Sequence, residues 1–261
     1  MKKRLLIDLT VVIIIPLLVF LAVFLLGWQI NYFTSLLLIL GVPSLYLSFK
    51  NRYKVKKVAL FSILVSIPIV IIFEILTFGD NMWWLTGTIL PHRFLGIIAL
   101  EDFLWMFLVT YIILIFYEHF INKDFQKDIS KKIKVMNYIL YPITIILSLI
   151  FVFNRAILVI PYAYLVFGII IFLIPTMLFL IKYPKFTKNF FKVSIFFFYI
   201  HMILELVGLR LGYWVFPGTH YIGMISILGL SFPLEEFIFV ICLGGFAACT
   251  YYEFFTNKKL K

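Results

Sequence analysis

The chain alternates between long apolar segments and short polar connections. Helical segments of about 20 mainly apolar residues are long enough to cross the ~30 Å hydrocarbon core of a bilayer. These segments do not show the strict alternation of a half-buried strand. The pattern therefore predicts an all-α integral membrane protein with eight transmembrane helices. They lie roughly at residues 5–26, 31–49, 58–78, 102–121, 135–153, 157–181, 190–210 and 233–255.

The composition supports this class. Of 261 residues, 64% are hydrophobic and only 13% are charged, which excludes an ordinary soluble domain. The segment at 5–26 is too long for the apolar core of a signal peptide and has no small-residue cleavage site. We therefore expect it to be a retained helix.

The basic residues predict the orientation of the helices. All but three of the 23 lysines and arginines lie before helix 1, after helix 8 or in alternate connections, the exceptions being Arg93, Arg155 and Arg210. Positive charge marks the cytoplasmic side, so both termini are expected in the cytoplasm. Because the charge is divided among five juxtamembrane segments, anionic lipid is the expected partner and nucleic acid is not.

One pattern of prolines, serines and acids occurs twice, at separations of 130 to 135 residues. The matched positions are Pro43 and Pro175, Lys50 and Lys182, Ser62 and Ser194, Glu74 and Glu205, Trp84 and Trp214, Glu101–Asp102 and Glu235–Glu236, and Glu118 and Glu253. Loop insertions between equivalent helices produce such a drift. The pattern predicts two repeats with the same orientation, related by an axis along the membrane normal. They are residues 1–121 and 134–261, joined by a polar cytoplasmic linker at 122–133.

Six of the matched acids are candidate catalytic residues because they fall at one depth, near the outer ends of their helices. They are Glu74, Glu101, Asp102, Glu205, Glu235 and Glu236. Neighbouring carboxyl groups in an apolar setting cannot all ionise, which leaves a neutral acid beside a carboxylate and suits proton transfer. The alternative is that the pairs only favour the start of a helix, where acids meet the helix dipole. Glu118 and Glu253 lie beside lysines at the inner ends, where an anchoring role is expected.

A few other polar and aromatic residues accompany these acids. His201 precedes Glu205 by four residues, so the two share a helix face, and a structural role for the histidine is equally open. Trp84 and Trp214 are expected in an interfacial belt, or with their π faces toward a cation. Dinucleotide-binding and phosphate-binding motifs are absent from the sequence, and no ligand spacing points to a metal. We therefore expect neither a cofactor nor a metal.

Five short segments, three in the second half of the chain and two in the first, resemble a known family. The second half contains Gly-Tyr-Trp-Val-Phe at 212–216, Tyr-Ile-Gly at 221–223 and Phe-Pro-Leu-Glu-Glu-Phe-Ile-Phe at 232–239. The first half contains Trp-Trp at 83–84 and Ala-Leu-Glu-Asp-Phe-Leu-Trp at 99–105. Together they resemble the integral-membrane lycopene cyclase domain, which occurs as two small subunits or as one fused chain. This chain departs from the family pattern at Ala99, where proline is usual, and at Glu205, where aspartate is expected.

The resemblance implies cyclisation of the ψ end groups of lycopene, with no net redox change. One carboxylic acid would protonate the terminal double bond, and a carboxylate would remove a proton after ring closure. The pairs Glu101–Asp102 and Glu235–Glu236 would supply acid and base, and Glu74 and Glu205 would tune them. Trp84, Trp214 and His201 would shield the cation. Lycopene or a related polyene and other carotenoid-pathway enzymes are the implied partners. Because both acid clusters lie on one side of the membrane, we expect one composite site between the halves.

Two other functions remain open from the sequence. Repeats with buried carboxyl groups are also typical of proton-coupled transporters. The cytoplasmic halves of the helices, however, are expected to lack the buried ionisable residues that access from both sides requires. The other open function is that of a cyclase-like protein that acts on another terpenoid or serves as a scaffold for carotenoid enzymes.

Overall fold

The computed structural model describes residues 2–122 and 129–256. Seven helices in this part of the chain are long and apolar enough to cross a membrane, and a bent pair makes an eighth. They are α1 (Lys3–Leu26), α2 (Tyr32–Lys50), α3 (Arg52–Phe78), α4 (Leu100–Ile121), α5 (Ile133–Leu158), α6 (Ala163–Lys182), α7 (Pro184–Leu211) and the pair Glu236–Cys242 with Phe246–Phe255, together called α8. This architecture is that of a multi-pass membrane protein.

Most predicted helices lie within a few residues of their observed limits, and three differences matter. Helix α3 begins at Arg52, six residues before the predicted start, so a basic turn enters the bundle. Helix α6 begins at Ala163, after a 3₁₀ turn at Arg155–Leu158. Helix α8 bends by 48° between its two parts. The predicted linker at 122–133 is described only at its ends, because residues 123–128 lie outside the described part, as do the C-terminal lysines.

Proline explains a shared irregularity of α2 and α6. A π-helical stretch, Leu37–Gly41 in α2 and Gly168–Leu173 in α6, comes just before a proline near the start of the next α-helical turn. Proline cannot donate a backbone hydrogen bond, and its ring collides with the carbonyl four residues earlier. The local widening of the helix accommodates both effects.

The core of the bundle lies among α3, α4 and α7, which are largely buried, whereas α1 and α5 are mostly exposed. Helix α3 packs against α4, α5 and α6, and α7 packs against α1 and α8. The exposed faces of α1 and α5 are apolar, as is usual for helices in contact with lipid.

Two loops join α3 to α4 and α7 to α8 at the same end of the bundle, called the strand end. Three short antiparallel ribbons form there: β1 (Trp84–Leu85) with β4 (Trp214–Val215), β2 (Arg93–Phe94) with β3 (Ile98–Ala99), and β5 (Met224–Ile227) with β6 (Leu230–Pro233). The β1–β4 ribbon joins the two loops, with Trp84 opposite Val215 and Leu85 opposite Trp214. The opposite end, which carries most of the described lysines, is called the lysine end.

The β2–β3 and β5–β6 hairpins turn in the same way. Each turn places a leucine and a glycine at positive φ: Leu95 and Gly96 in one, Leu228 and Gly229 in the other. Two successive residues at positive φ are typical of the type I′ turn. They make up the whole loop of β5–β6, whereas Ile97 is a third loop residue in β2–β3. The hairpins fix the paths by which the chain enters α4 and α8, where the acid pairs lie.

Candidate active site

The six predicted catalytic acids all lie at the strand end and are all buried. None is more than 8% exposed, and Glu235 is fully enclosed. Uncompensated charges at such depth are costly, so each carboxyl group must be satisfied by a partner or remain neutral.

Glu74 and Glu205 make the same contact in the two halves. The indole Nε1 of Trp83 donates to Oε1 of Glu74, and that of Trp214 donates to Oε1 of Glu205, both at 3.1 Å. Each tryptophan follows its glutamate by nine residues. The indole N–H groups thus hold the two carboxyl groups in place at the ends of α3 and α7.

Glu101 and Glu235 bind the loops. Oε1 of Glu101 accepts the backbone N–H groups of Ile89 and Leu90 at 2.7 and 3.0 Å, and Oε1 of Glu235 accepts that of Ile222 at 2.6 Å. In each carboxyl group the other oxygen is buried and has no hydrogen-bond partner among the described residues. These two acids therefore stabilise the loops that cover the site.

Asp102 and Glu236, the second members of the pairs, have different surroundings. Oδ2 of Asp102 accepts the backbone N–H of Ala99 at 3.0 Å, so it caps the start of α4. Glu236 instead accepts a hydrogen bond from the hydroxyl of Tyr164, and its Oε1 lies 3.6 Å from Nε2 of His201. The pairs are matched in sequence, but their contacts differ.

Glu205 and Glu236 line a pocket at the strand end, called the acid pocket. Its other lining residues are Tyr32, Phe73, Trp83, Trp105, Tyr164, His201, Leu204, Trp214 and Phe216. The other four predicted acids lie outside this lining. The pocket is built from both halves of the chain, since Trp83 and Trp105 come from the first half and both acids come from the second.

Three indole rings form an aromatic wall of the acid pocket. The ring of Trp83 lies 6.2 Å from that of Trp105 and 6.4 Å from that of Trp214. Their π faces are suited to stabilise a cation inside the pocket. Trp84 lies elsewhere, against the guanidinium group of Arg93 at 4.3 Å. Trp83, rather than Trp84, therefore makes the contact that matches Trp214.

One group of side chains in the acid pocket has the composition of a metal site. The nearest ligand atoms of His201, Glu205 and Glu236 all lie within 4.8 Å of one another. This group could not be recognised in the sequence, because Glu236 lies on α8, 35 residues after His201. One oxygen of each carboxyl group already accepts a hydrogen bond, from Trp214 or from Tyr164, and Nδ1 of His201 has no partner among the described residues.

Two tyrosines of the acid pocket were not predicted from the sequence. Tyr164 donates to Glu236, and the ring of the fully buried Tyr32 lies 5.6 Å from that of Trp214. The sequence does place these tyrosines at matched positions of the two halves, because Tyr32 and Tyr164 are 132 residues apart, the same separation as Pro43 and Pro175. Tyrosine is common in this chain, which has 15, so the match did not stand out.

An apolar cavity adjoins the acid pocket, with Phe73 and Trp105 lining both. Its remaining lining is aliphatic and aromatic except for Thr110 and Thr250. It extends between the two halves toward the lysine end. We call it the apolar cavity.

The lysine end contains buried charge, so the expectation that this side lacks buried ionisable residues was wrong. Lys54 and Glu118 form a buried ion pair, and the hydroxyl of Tyr251 donates to Glu118 at 2.7 Å. Lys54 precedes the predicted helix at 58–78, but the early start of α3 carries it into the bundle. Glu118 is therefore part of a buried network rather than a surface anchor. Glu253, the matched acid, is more exposed and contacts Lys132 and Lys182 at 2.9 and 3.0 Å.

Comparisons with protein-family models, curated proteins and solved structures gave no match to this chain.

Proposed function

We propose that this protein is a carotenoid cyclase that closes the ψ end groups of lycopene or a related polyene by proton transfer, without redox chemistry. The observation that carries the proposal is a pocket with two buried carboxyl groups that adjoins an apolar cavity. A long hydrocarbon with a reactive end requires this combination. The segments that resemble the lycopene cyclase domain supply the three tryptophans of the pocket and Glu236.

In the proposed reaction, Glu205 and Glu236 are the acids closest to the substrate. One of them, in its neutral form, donates a proton to the terminal double bond of the polyene. The resulting carbocation is attacked by a nearby double bond, which closes the ring and moves the positive charge. The other carboxyl group, as the carboxylate, then accepts a proton from a carbon next to the cation. One proton is gained and one is lost, so the product is an isomer.

The surroundings of the two acids suit this division of roles. Two carboxyl groups this close cannot both be charged at low cost, which favours one neutral acid beside one carboxylate. The walls formed by Trp83, Trp105 and Trp214 exclude water, which would otherwise capture the cation. Glu74, Glu101, Asp102 and Glu235 act from outside the pocket, by holding the indoles, the loops and the start of α4.

We further propose that the chain consists of two repeats with the same orientation. The Glu–Trp contacts, the type I′ hairpins and the π-helical stretches before proline occur at matched positions and support this organisation. Helix α1 packs against α7, and α5 packs against α3, as an axis between the halves would require. On the charge pattern, the lysine end faces the cytoplasm and the protein lies in the cell membrane.

A proton-coupled transporter is the second candidate, and the buried Lys54–Glu118 pair favours it. Buried charge at both ends of a bundle is typical of transport proteins. The apolar cavity between the two ends argues against it, because a polar substrate would cross a lining in which Thr110 and Thr250 are the polar residues.

The proposal is tested by pigment analysis after expression in lycopene-accumulating bacteria. We expect lycopene to be converted to a monocyclic or bicyclic carotenoid, and the conversion to be lost in Glu236→Gln and reduced in Asp102→Asn. Full cyclisation by both variants would contradict the proposed chemistry. Unchanged lycopene, with the wild-type protein shown to be in the membrane, would favour another terpenoid substrate or the transporter.

A further inference from the structure

The apolar cavity is long and narrow. On α3 its lining extends from Phe73, beside the acid pocket, to Phe61 near the lysine end. These residues are twelve positions apart, which corresponds to about 18 Å along a helix at about 1.5 Å per residue. A compact ligand does not need this length, whereas a linear one does.

The apolar cavity shares part of its lining with a depression at the surface of the bundle. Phe246 and Thr250 line both the apolar cavity and a second depression between α6 and α8. That depression ends beside Lys182 and Glu253 at the lysine end. A continuous set of lining residues therefore leads from the acid pocket to an opening between α6 and α8.

The length of this path fits a long polyene. On α6 it runs from Tyr164, which contacts Glu236, to Lys182 in the surface depression. Eighteen residues of helix correspond to about 27 Å. The hydrocarbon core of a bilayer is ~30 Å thick, and an extended carotenoid has a similar length.

We infer that the apolar cavity is the binding channel for the body of one extended polyene. The reacting end group lies in the acid pocket, and the far end lies in the opening between α6 and α8. This inference rests on the proposed function, since it names the site that the proposed substrate fills. Buried carboxyl groups lie at one end of the path only, because Glu253 at the other end is more exposed and pairs with Lys132 and Lys182, so one end group reacts in each binding event. A second ring requires release and entry in the reverse direction, with a free monocyclic intermediate.

The test separates binding from catalysis. Glu236→Gln removes a proposed catalytic carboxyl group and leaves the channel open, whereas Ala247→Phe places a ring within the channel lining. Ile174→Phe adds similar bulk at a position that is 46% exposed on α6 and lies outside the lining, so it is the matched control. Binding of lycopene in detergent micelles is followed by quenching of tryptophan fluorescence, because three of the five tryptophans surround the acid pocket.

We expect Ile174→Phe to bind lycopene as the wild type does and Ala247→Phe to bind at least tenfold more weakly, each measured also in the Glu236→Gln background, in which no product forms. Thr250→Phe, nearer the opening, covers the case in which Ala247→Phe fails to fold. It should weaken binding of lycopene but spare a polyene shortened at one end. Unchanged lycopene binding in both filled variants would overturn the channel. Weakened binding in these variants, with a wild type that cyclises no polyene, would support the channel and reject the cyclase.

Discussion

The buried ion pair at the lysine end gives a prediction that does not depend on the function. Glu118 is 3% exposed and holds Lys54, Tyr251 and Asn122, whereas the matched Glu253 contacts lysines that are more than half exposed. Removing one partner of a buried pair leaves the other charge uncompensated and costs about 3–5 kcal/mol. Loss of an exposed pair typically costs about 0.2–1 kcal/mol. Glu118→Gln should therefore destabilise the protein several times more than Glu253→Gln.

The assay is thermal unfolding of the purified protein in detergent, with both variants in the same buffer. At roughly 2–4 °C per kcal/mol, Glu118→Gln should lower Tm by about 6–20 °C and Glu253→Gln by less than about 4 °C. Adding Lys54→Met to Glu118→Gln should recover much of the loss, since neither charge is then left alone. Equal shifts for the two single variants, or no recovery in the double variant, would refute this account of the lysine end.

Three further predictions concern the acid pocket. Tyr164→Phe removes the hydroxyl that donates to Glu236. A hydrogen bond to a charged group contributes about 1.5–3 kcal/mol, so cyclisation should slow roughly 10- to 150-fold without weaker polyene binding. An unchanged rate would show that the hydroxyl has no role. Gly208→Ala places a methyl group against the ring of Trp214. It should lower stability by about 1–3 kcal/mol, measured as a lower Tm, and should also reduce activity. A variant as stable as the wild type would show that the ring moves freely. Treatment with a chelator should leave cyclisation unchanged, because the proposed reaction uses only protons; inhibition that is reversed by a divalent cation would instead indicate that His201 and its neighbouring acids hold a metal.

The sequence allowed the six acids to be identified, because they lie in or beside apolar segments and occur at matched positions in both halves. It could not show which of them face a substrate. Asp102 and Glu236 occupy matched positions, yet one caps a helix and the other meets a tyrosine 72 residues away. Such a contact depends on how α6 packs against α8, and helix periodicity carries no information on that packing.

Neighbouring residues were also difficult to tell apart. Trp83 and Trp84 are adjacent, and side chains next to each other in extended chain point to opposite sides. The loop therefore places Trp83 in the acid pocket and Trp84 against Arg93. The nine-residue spacing shared with Glu205 and Trp214 would have selected Trp83, had the spacing within each half been compared.

The sequence by itself determined the helices and the depth of the acids, because apolar runs must satisfy their backbone hydrogen bonds internally and charged groups in them are costly. These are properties of single segments. Only the tertiary structure decided that Glu205 and Glu236 share a pocket with Trp83 and Trp105, and that this pocket adjoins an apolar cavity. It also decided that Glu118 is buried with Lys54. Each of these features is formed by residues from different helices, so it depends on packing across the bundle, which the pattern along the chain does not specify.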